Sequence, residues 1–90
     1  MMQPVDDVLA QRLLKLCAEK DERALKDLHR VMAPRIHAFA FHRLRDDSAA
    51  ETVVVDTLFE VWKCAAKFRG ESKVSTWVLG IARHKIFALV

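Results

Sequence analysis

Apolar residues recur along this chain at helical spacing over most of its length, with no strand-like alternation of useful length. Four segments carry the pattern. The first is expected from about Val5 to Glu19. Asp6 and Asp7 fall in its opening turn, where carboxylates favour the helix dipole. Leu9, Leu13, Leu16 and Cys17 form its apolar stripe. The second segment starts at Asp21, a side chain suited to capping, and runs to about Arg45. Its stripe is Leu25, Leu28, Met32, Ile36 and Phe39. Pro34 lies in the middle of that stripe and removes the amide that would bond the Arg30 carbonyl. Interior prolines cost roughly 3 kcal/mol, so a kink there, or a break into two helices, is expected.

Arg45-Asp-Asp-Ser48 reads as a polar turn, and Ser48-Ala-Ala-Glu51 as a capping box that opens the third helix. Val54, Leu58, Val61, Trp62 and Ala65 make its core stripe. Val55 and Phe59 make a second apolar stripe about 100° away, where water would ordinarily be. A helix apolar on two faces is either central in a bundle or carries a partner site. The segment Phe68-Arg-Gly-Glu-Ser-Lys73 is a loop. The last helix begins near Ser72 to Val74 and runs to the end of the chain. Val74, Val78, Ile81 and the stem of Lys85 form one of its faces; Trp77, Gly80 and His84 lie along another. The expected fold is all-α, a compact bundle of about four helices, with residues 1–90 as one domain.

Composition narrows the class. At 52% hydrophobic and 30% charged residues, the chain has enough apolar surface for a core and is too apolar for disorder. Two cysteines, Cys17 and Cys64, make neither a disulfide framework nor a zinc motif, which points to a reduced, cytoplasmic protein. No apolar run approaches the roughly 20 residues of a membrane span. An enzyme is not expected. His29, His37 and His42 lack the i, i+4 spacing of a helical zinc site, and there is no Glu-x-x-His. No glycine-rich phosphate loop occurs, and Ser72, Ser75 and Thr76 have no evident base partner. No metal or cofactor is implied.

Charge order changes the picture more than net charge does. From Met1 to Ala66, ten basic residues meet eleven acidic ones; from Lys67 onward five basic residues meet Glu71 alone. Between Asp46 and Glu60 lie five acids and no base. This is either ordinary mixed surface charge or two faces, an acidic one for a basic protein and a basic one for nucleic acid.

Two motifs bear on that choice. Ala50-Glu-Thr-Val-Val-Val-Asp-Thr-Leu-Phe-Glu-Val-Trp62 is similar to region 2.2 of extracytoplasmic-function (ECF) sigma factors of the sigma-70 family. Phe68-Arg-Gly-Glu-Ser-Lys-Val-Ser-Thr-Trp-Val-Leu-Gly-Ile-Ala-Arg-His84 resembles their regions 2.3 and 2.4, and is the more specific of the two. The second helix, with its central proline, looks like region 2.1. The resemblance spans roughly Asp21 to Phe87.

It implies a sigma-70 domain 2 that docks on the clamp helices of the RNA polymerase β′ subunit. It also implies recognition and melting of the promoter −10 element, with a non-template base flipped into a pocket. An anti-sigma factor is a further implied partner. Carried onto this chain, the polymerase-binding candidates are Glu51, Val55, Asp56, Phe59 and Glu60: acids for a basic partner helix, with apolar contact beside them. The other reading is a solvated acidic face with Val55 and Phe59 in the core.

The DNA-binding candidates are Lys67, Phe68, Arg69, Ser72, Lys73, Ser75, Thr76, Trp77, Arg83 and His84, with Lys85 a further cation. Cations follow the backbone, aromatic faces take bases, and hydroxyls or the helix N-terminus meet a base edge. Trp77 could instead be a core residue shaping the pocket wall, and His84 a solvated one. Thr52 stands where the family usually has Asp, Val55 where it has Gln, and Ala88 where an acid is common.

A working factor of this family also has a region 4 helix-turn-helix domain, for which these residues have no room. An excised or natural fragment, unable to direct specific initiation alone, is therefore expected. The alternatives are a protein-interaction bundle without DNA function, such as an anti-sigma-binding fragment, and a module for duplex DNA, which the loop-and-aromatic arrangement disfavours.

Overall fold

Aspartates open the helices of this protein. In the computed structural model, which describes residues 4–89, α1 (Asp7–Ala18) is capped by Asp6, whose carboxylate accepts the Val8 and Leu9 amides. α2 (Glu22–Leu44) is capped by Asp21, which accepts the Arg23 and Ala24 amides. α3 (Asp47–Cys64) is capped by Asp46, which accepts the Ala49 amide at 2.9 Å. A 3-10 turn (Ala65–Lys67) follows, then the loop, then α4 (Val74–Leu89). No strand occurs among the described residues, and the all-α class stands.

The capping box expected at Ser48 is not what forms. Arg45 takes a left-handed conformation, φ 54°, and its amide bonds the Phe41 carbonyl, closing α2 at once. The chain is then extended at Asp46, so that residue caps α3, and Ser48 is already helical. α1 ends in a Schellman arrangement: Lys20 is left-handed (φ 65°), its amide bonds the Cys17 carbonyl, and the Asp21 amide bonds that of Leu16. α2 does not break at Pro34 but runs through it as one helix. The expectation that α4 reaches the chain's end extends to Val90, outside the described residues.

All four helices touch one another, with the α2–α3 seam the broadest. The radius of gyration, 12.3 Å, is that of one folded unit of this length, about 12 Å. The core differs in register from the sequence stripes. On α1 the buried residues are Ala10, Leu13, Leu14 and Cys17; Leu9 is exposed and Leu16 half-buried. On α2 they are Ala24, Leu28, Met32, Ile36 and Ala40, with Leu25 and Phe39 half-buried. α3 contributes Ala50, Val53, Val54, Thr57, Leu58 and Val61, with Ala65 following and Trp62 half-buried. α4 contributes Val74, Val78, Ala82 and Ile86; Ile81 and Lys85 lie at the edge. In each helix an alanine fills a place that the stripes had given to a larger residue or passed over. Small side chains there let helix backbones come close enough to pack.

Two candidate interfaces and the family of the chain

The first face lies along the α2–α3 seam. Val55 and Phe59 are 61% and 62% exposed, so they are outside the core. With Leu58 and Trp62 they line one wall of a groove of about 530 Å³, whose other wall is Glu22, Leu25 and His29. A second recess of about 450 Å³ adjoins it at His29 and continues past Ala33, Pro34 and His37 to Glu51 and Val54. Glu51, Val55, Phe59 and Trp62 succeed each other at four, four and three residues, so they share one helix face.

The acids of α3 do not all belong to that face. Glu51 is exposed, with an oxygen 4.0 Å from the His37 Nε2 atom, which also lies 3.3 Å from Asp47. Asp56 is exposed, one position round from Val55. Glu60 is 140° around the helix from Val55, by the 100° step per residue, and turns to α4. There its Oε1 atom accepts a hydrogen bond from Lys85 at 3.3 Å, and its Oε2 atom accepts one from the Cys64 thiol at 3.0 Å. Lys63 lies 3.7 Å away. The thiol, then Lys85 and Lys63, hold the Glu60 carboxyl below the ordinary carboxylate range. In return, the hydrogen bond to Glu60 and partial burial push the Cys64 thiol up. Glu60 thus fastens α3 to α4, and Lys85 is spent in the same pair. Lys63 also sits over the Phe59 ring, 5.0 Å from its centroid.

The second face is built by the loop and the outer side of α4. Lys67, Arg69, Ser72, Lys73, Thr76, Arg83 and His84 are exposed, and Ser75 is half-buried. Gly70 adopts φ +76°, a conformation that a side chain would strain, and so allows the loop to turn. Phe68 and Trp77 pack edge to face, centroids 5.5 Å apart, and both are half-buried against the core. They brace the loop on the bundle. Phe68 also lines a hollow of about 500 Å³ with Gln11, Leu14 and Lys15 of α1. The Ser72 hydroxyl donates to the Lys73 carbonyl at 3.2 Å.

The N-terminus of α4 was a candidate for meeting a base edge, but an acid meets its first amide. The Val74 amide donates to Asp7 Oδ1 at 2.7 Å, across 67 residues of chain, and Asp7 Oδ2 accepts from the Gln11 side chain at 2.7 Å. No local sequence signal marks Asp7 for this role, because its partner is at the other end of the chain. Phe87 was likewise not singled out. It is 59% exposed, with the Arg83 guanidinium 5.5 Å from its ring centroid. Its signal was present: i, i+4 spacing from Arg83 and a place outside the core stripe.

Both cysteines are free thiols, and burial pushes that of Cys17 up. Among the described residues, no group of three or more His, Cys, Asp or Glu could hold a metal ion, and no helix is long and apolar enough to cross a membrane.

The sigma-70 region 2 family model matches residues 28–89, from the first third of α2 through the end of α4. No curated protein and no solved structure matches the chain. The matched span contains the groove's α3 wall, the loop and all of α4, so both faces lie inside it apart from the α1 and early α2 residues that border them. On that match, over more than half its length, the chain belongs to the sigma-70 region 2 family, a domain of RNA polymerase sigma factors.

Proposed function

We propose that the chain is the domain 2 of an ECF-type sigma factor, working in the cytoplasm. It docks through the α2–α3 groove on the clamp helices of the polymerase β′ subunit, and it holds the non-template strand of the −10 element on the loop and the outer face of α4. The observation that carries the docking half is the exposure of Val55 and Phe59 at an apolar groove with Glu51 and Asp56 beside it. A domain this small gains nothing in stability from two large apolar side chains in water. Beside exposed acids they suit an amphipathic helix bearing Arg or Lys. An anti-sigma factor that silences the protein would cover the same groove. The DNA half is supported by the run of exposed cations, Lys67, Arg69, Lys73 and Arg83, with Glu71 the one acid among them and His84 exposed beside Arg83.

Two variants and one titration test both halves. Phe59→Ala should weaken capture of core RNA polymerase by about 30-fold, the size of a central anchor. Glu51→Lys with Asp56→Lys should abolish capture but leave the helical circular dichroism and DNA binding intact. Fluorescence anisotropy should show preference for single-stranded over duplex −10 oligonucleotide, with a steep salt slope. Equal capture by all variants would sink the docking half, and preference for duplex the DNA half.

A further inference from the structure

Gly80 lies in the interior of α4, where glycine is less favourable than alanine because of its backbone freedom. Nothing among the described residues requires it. Its backbone is ordinary helix, and, beyond its chain neighbours and the adjacent turns of its own helix backbone, a Cβ there would meet no atom of the described residues within 4 Å. The position is exposed, opposite the buried line of Val74, Val78, Ala82 and Ile86. Thr76 and Trp77 lie one turn before it and Arg83 and His84 one turn after, with Lys73 and Phe87 two turns away on either side. The outer face of α4 is therefore a strip of cation, hydroxyl and aromatic groups with a bare patch of backbone at its centre.

Bare helix backbone allows something flat to approach more closely than any side chain would permit. Its surroundings say what that object is. Lys73, Arg83 and the Arg83–Phe87 pair offer positive charge and a π face, and α4 itself carries no acid, Glu71 of the preceding loop being the one acid close to it in sequence. Those are the groups that hold single-stranded nucleic acid. A second protein helix would also fit a glycine gap, but a cationic rim favours a polyanion.

We infer that Gly80 is a positioning residue for single-stranded DNA: the strand lies against the α4 backbone at Gly80, between Thr76 and Trp77 on one side and Arg83 and His84 on the other. This rests on the DNA half of the proposed function and adds the place where the strand touches down. Phe87, beyond Arg83, is the stacking surface at the far end of the strip.

The test uses the 90-residue chain, a fluorescently labelled single-stranded −10-like oligonucleotide and anisotropy over a salt series. Gly80→Ala should weaken binding about tenfold, since a methyl group takes the place where the strand packs on the bare helix backbone, while the cations on either side still reach its phosphates. It should raise the melting temperature by about 4 °C, because alanine is the better helix former and its Cβ meets nothing. The salt slope should be unchanged, because no phosphate contact is removed. Arg83→Ala should instead reduce that slope by about one.

If the parent chain binds and Gly80→Ala binds within twofold of it, the role of Gly80 is overturned while the DNA reading stands. Weaker binding with a lowered melting temperature overturns it too, since residue 80 would then be a structural glycine. Unchanged DNA affinity with weakened polymerase capture overturns it in favour of a protein contact. Failure of the parent chain to bind any single strand overturns the DNA reading, and this inference with it.

Discussion

Asp7→Ala is the substitution whose effect the structure specifies best. It removes the acceptor for the Val74 amide, a 2.7 Å bond at the first turn of α4, and the acceptor for the Gln11 side chain. Losing a cap costs about 0.5–2 kcal/mol. Two features place this one near the top of that range. The acceptor is ionised, which roughly doubles the strength of the bond, and the amide is half-shielded by α1, so water replaces the carboxylate poorly. α1 also loses a first-turn acid, worth about 0.3–1 kcal/mol, but keeps its own cap at Asp6. The sum is about 2 kcal/mol, or a fall of about 10 °C in Tm for a domain of this size. Asp7→Asn keeps an acceptor and loses only the charge, so about 1 kcal/mol is expected.

Urea denaturation followed by tryptophan fluorescence reads the totals, and amide hydrogen exchange locates them. Exchange at Val74 to Trp77 should quicken in Asp7→Ala but not in Asp6→Ala, which removes a cap from α1 alone. Stability within 0.5 kcal/mol of the parent would refute the reasoning, as would an Asn variant no better than the Ala one.

Three further expectations follow. The Thr57 hydroxyl is buried with no hydrogen-bond partner among the described residues, so Thr57→Val should stabilise the domain by about 1 kcal/mol in the same urea assay; destabilisation would mean that the hydroxyl is bonded after all. The Glu60 carboxyl is held below its ordinary value of 4.5, so its contribution to stability is complete above that value and is lost as pH falls through the lower folded value. Glu60→Gln should therefore flatten the acid limb of a plot of Tm against pH, and an unchanged limb would contradict the coupling. With a thiol-labelling reagent at pH about 8, where an ordinary thiol is partly ionised, half-exposed Cys64 should react before buried Cys17. Glu60→Gln should speed Cys64, whose thiol that carboxylate holds protonated; equal rates would show that the hydrogen bond does not govern it.

The helices were legible because their large apolar residues recur at helical spacing, and Asp21 announced α2 because a capping aspartate acts on amides two and three residues away. What was illegible depends on space rather than order. Ala10, Ala24, Ala40, Ala50 and Ala82 are fully or almost fully buried, yet alanine carries too little apolar surface to stand out in a stripe. Leu14 was passed over for Leu9 because both fit a helical period, and only the position of the neighbouring helices decides which turns inward. Ser48 lost α3 to Asp46 because Arg45 turned left-handed one residue earlier, a backbone choice that a non-glycine residue does not advertise. At the candidate sites, Val55 and Phe59 were visible as a stripe out of phase with the core. The diversion of Glu60 and Lys85 into a pair with each other was not, since 25 residues separate them.

The family pattern begins at Leu28, whereas the folded unit begins before it. α1 places Leu13, Leu14 and Cys17 in the core, and its Asp7 side chain reaches α4. Just beyond its end, Lys20 donates to the Trp62 carbonyl at 2.8 Å near the end of α3 and rests over the Trp62 ring. The least recognisable part of the chain therefore fastens both helices on which the two candidate faces are built. A fragment cut at the limits of the pattern would keep nearly every residue that suggests a function and lose the clamp that holds them in place. For this fold, the unit that can be recognised is smaller than the unit that can be dissected, and expression or grafting experiments should respect the larger one.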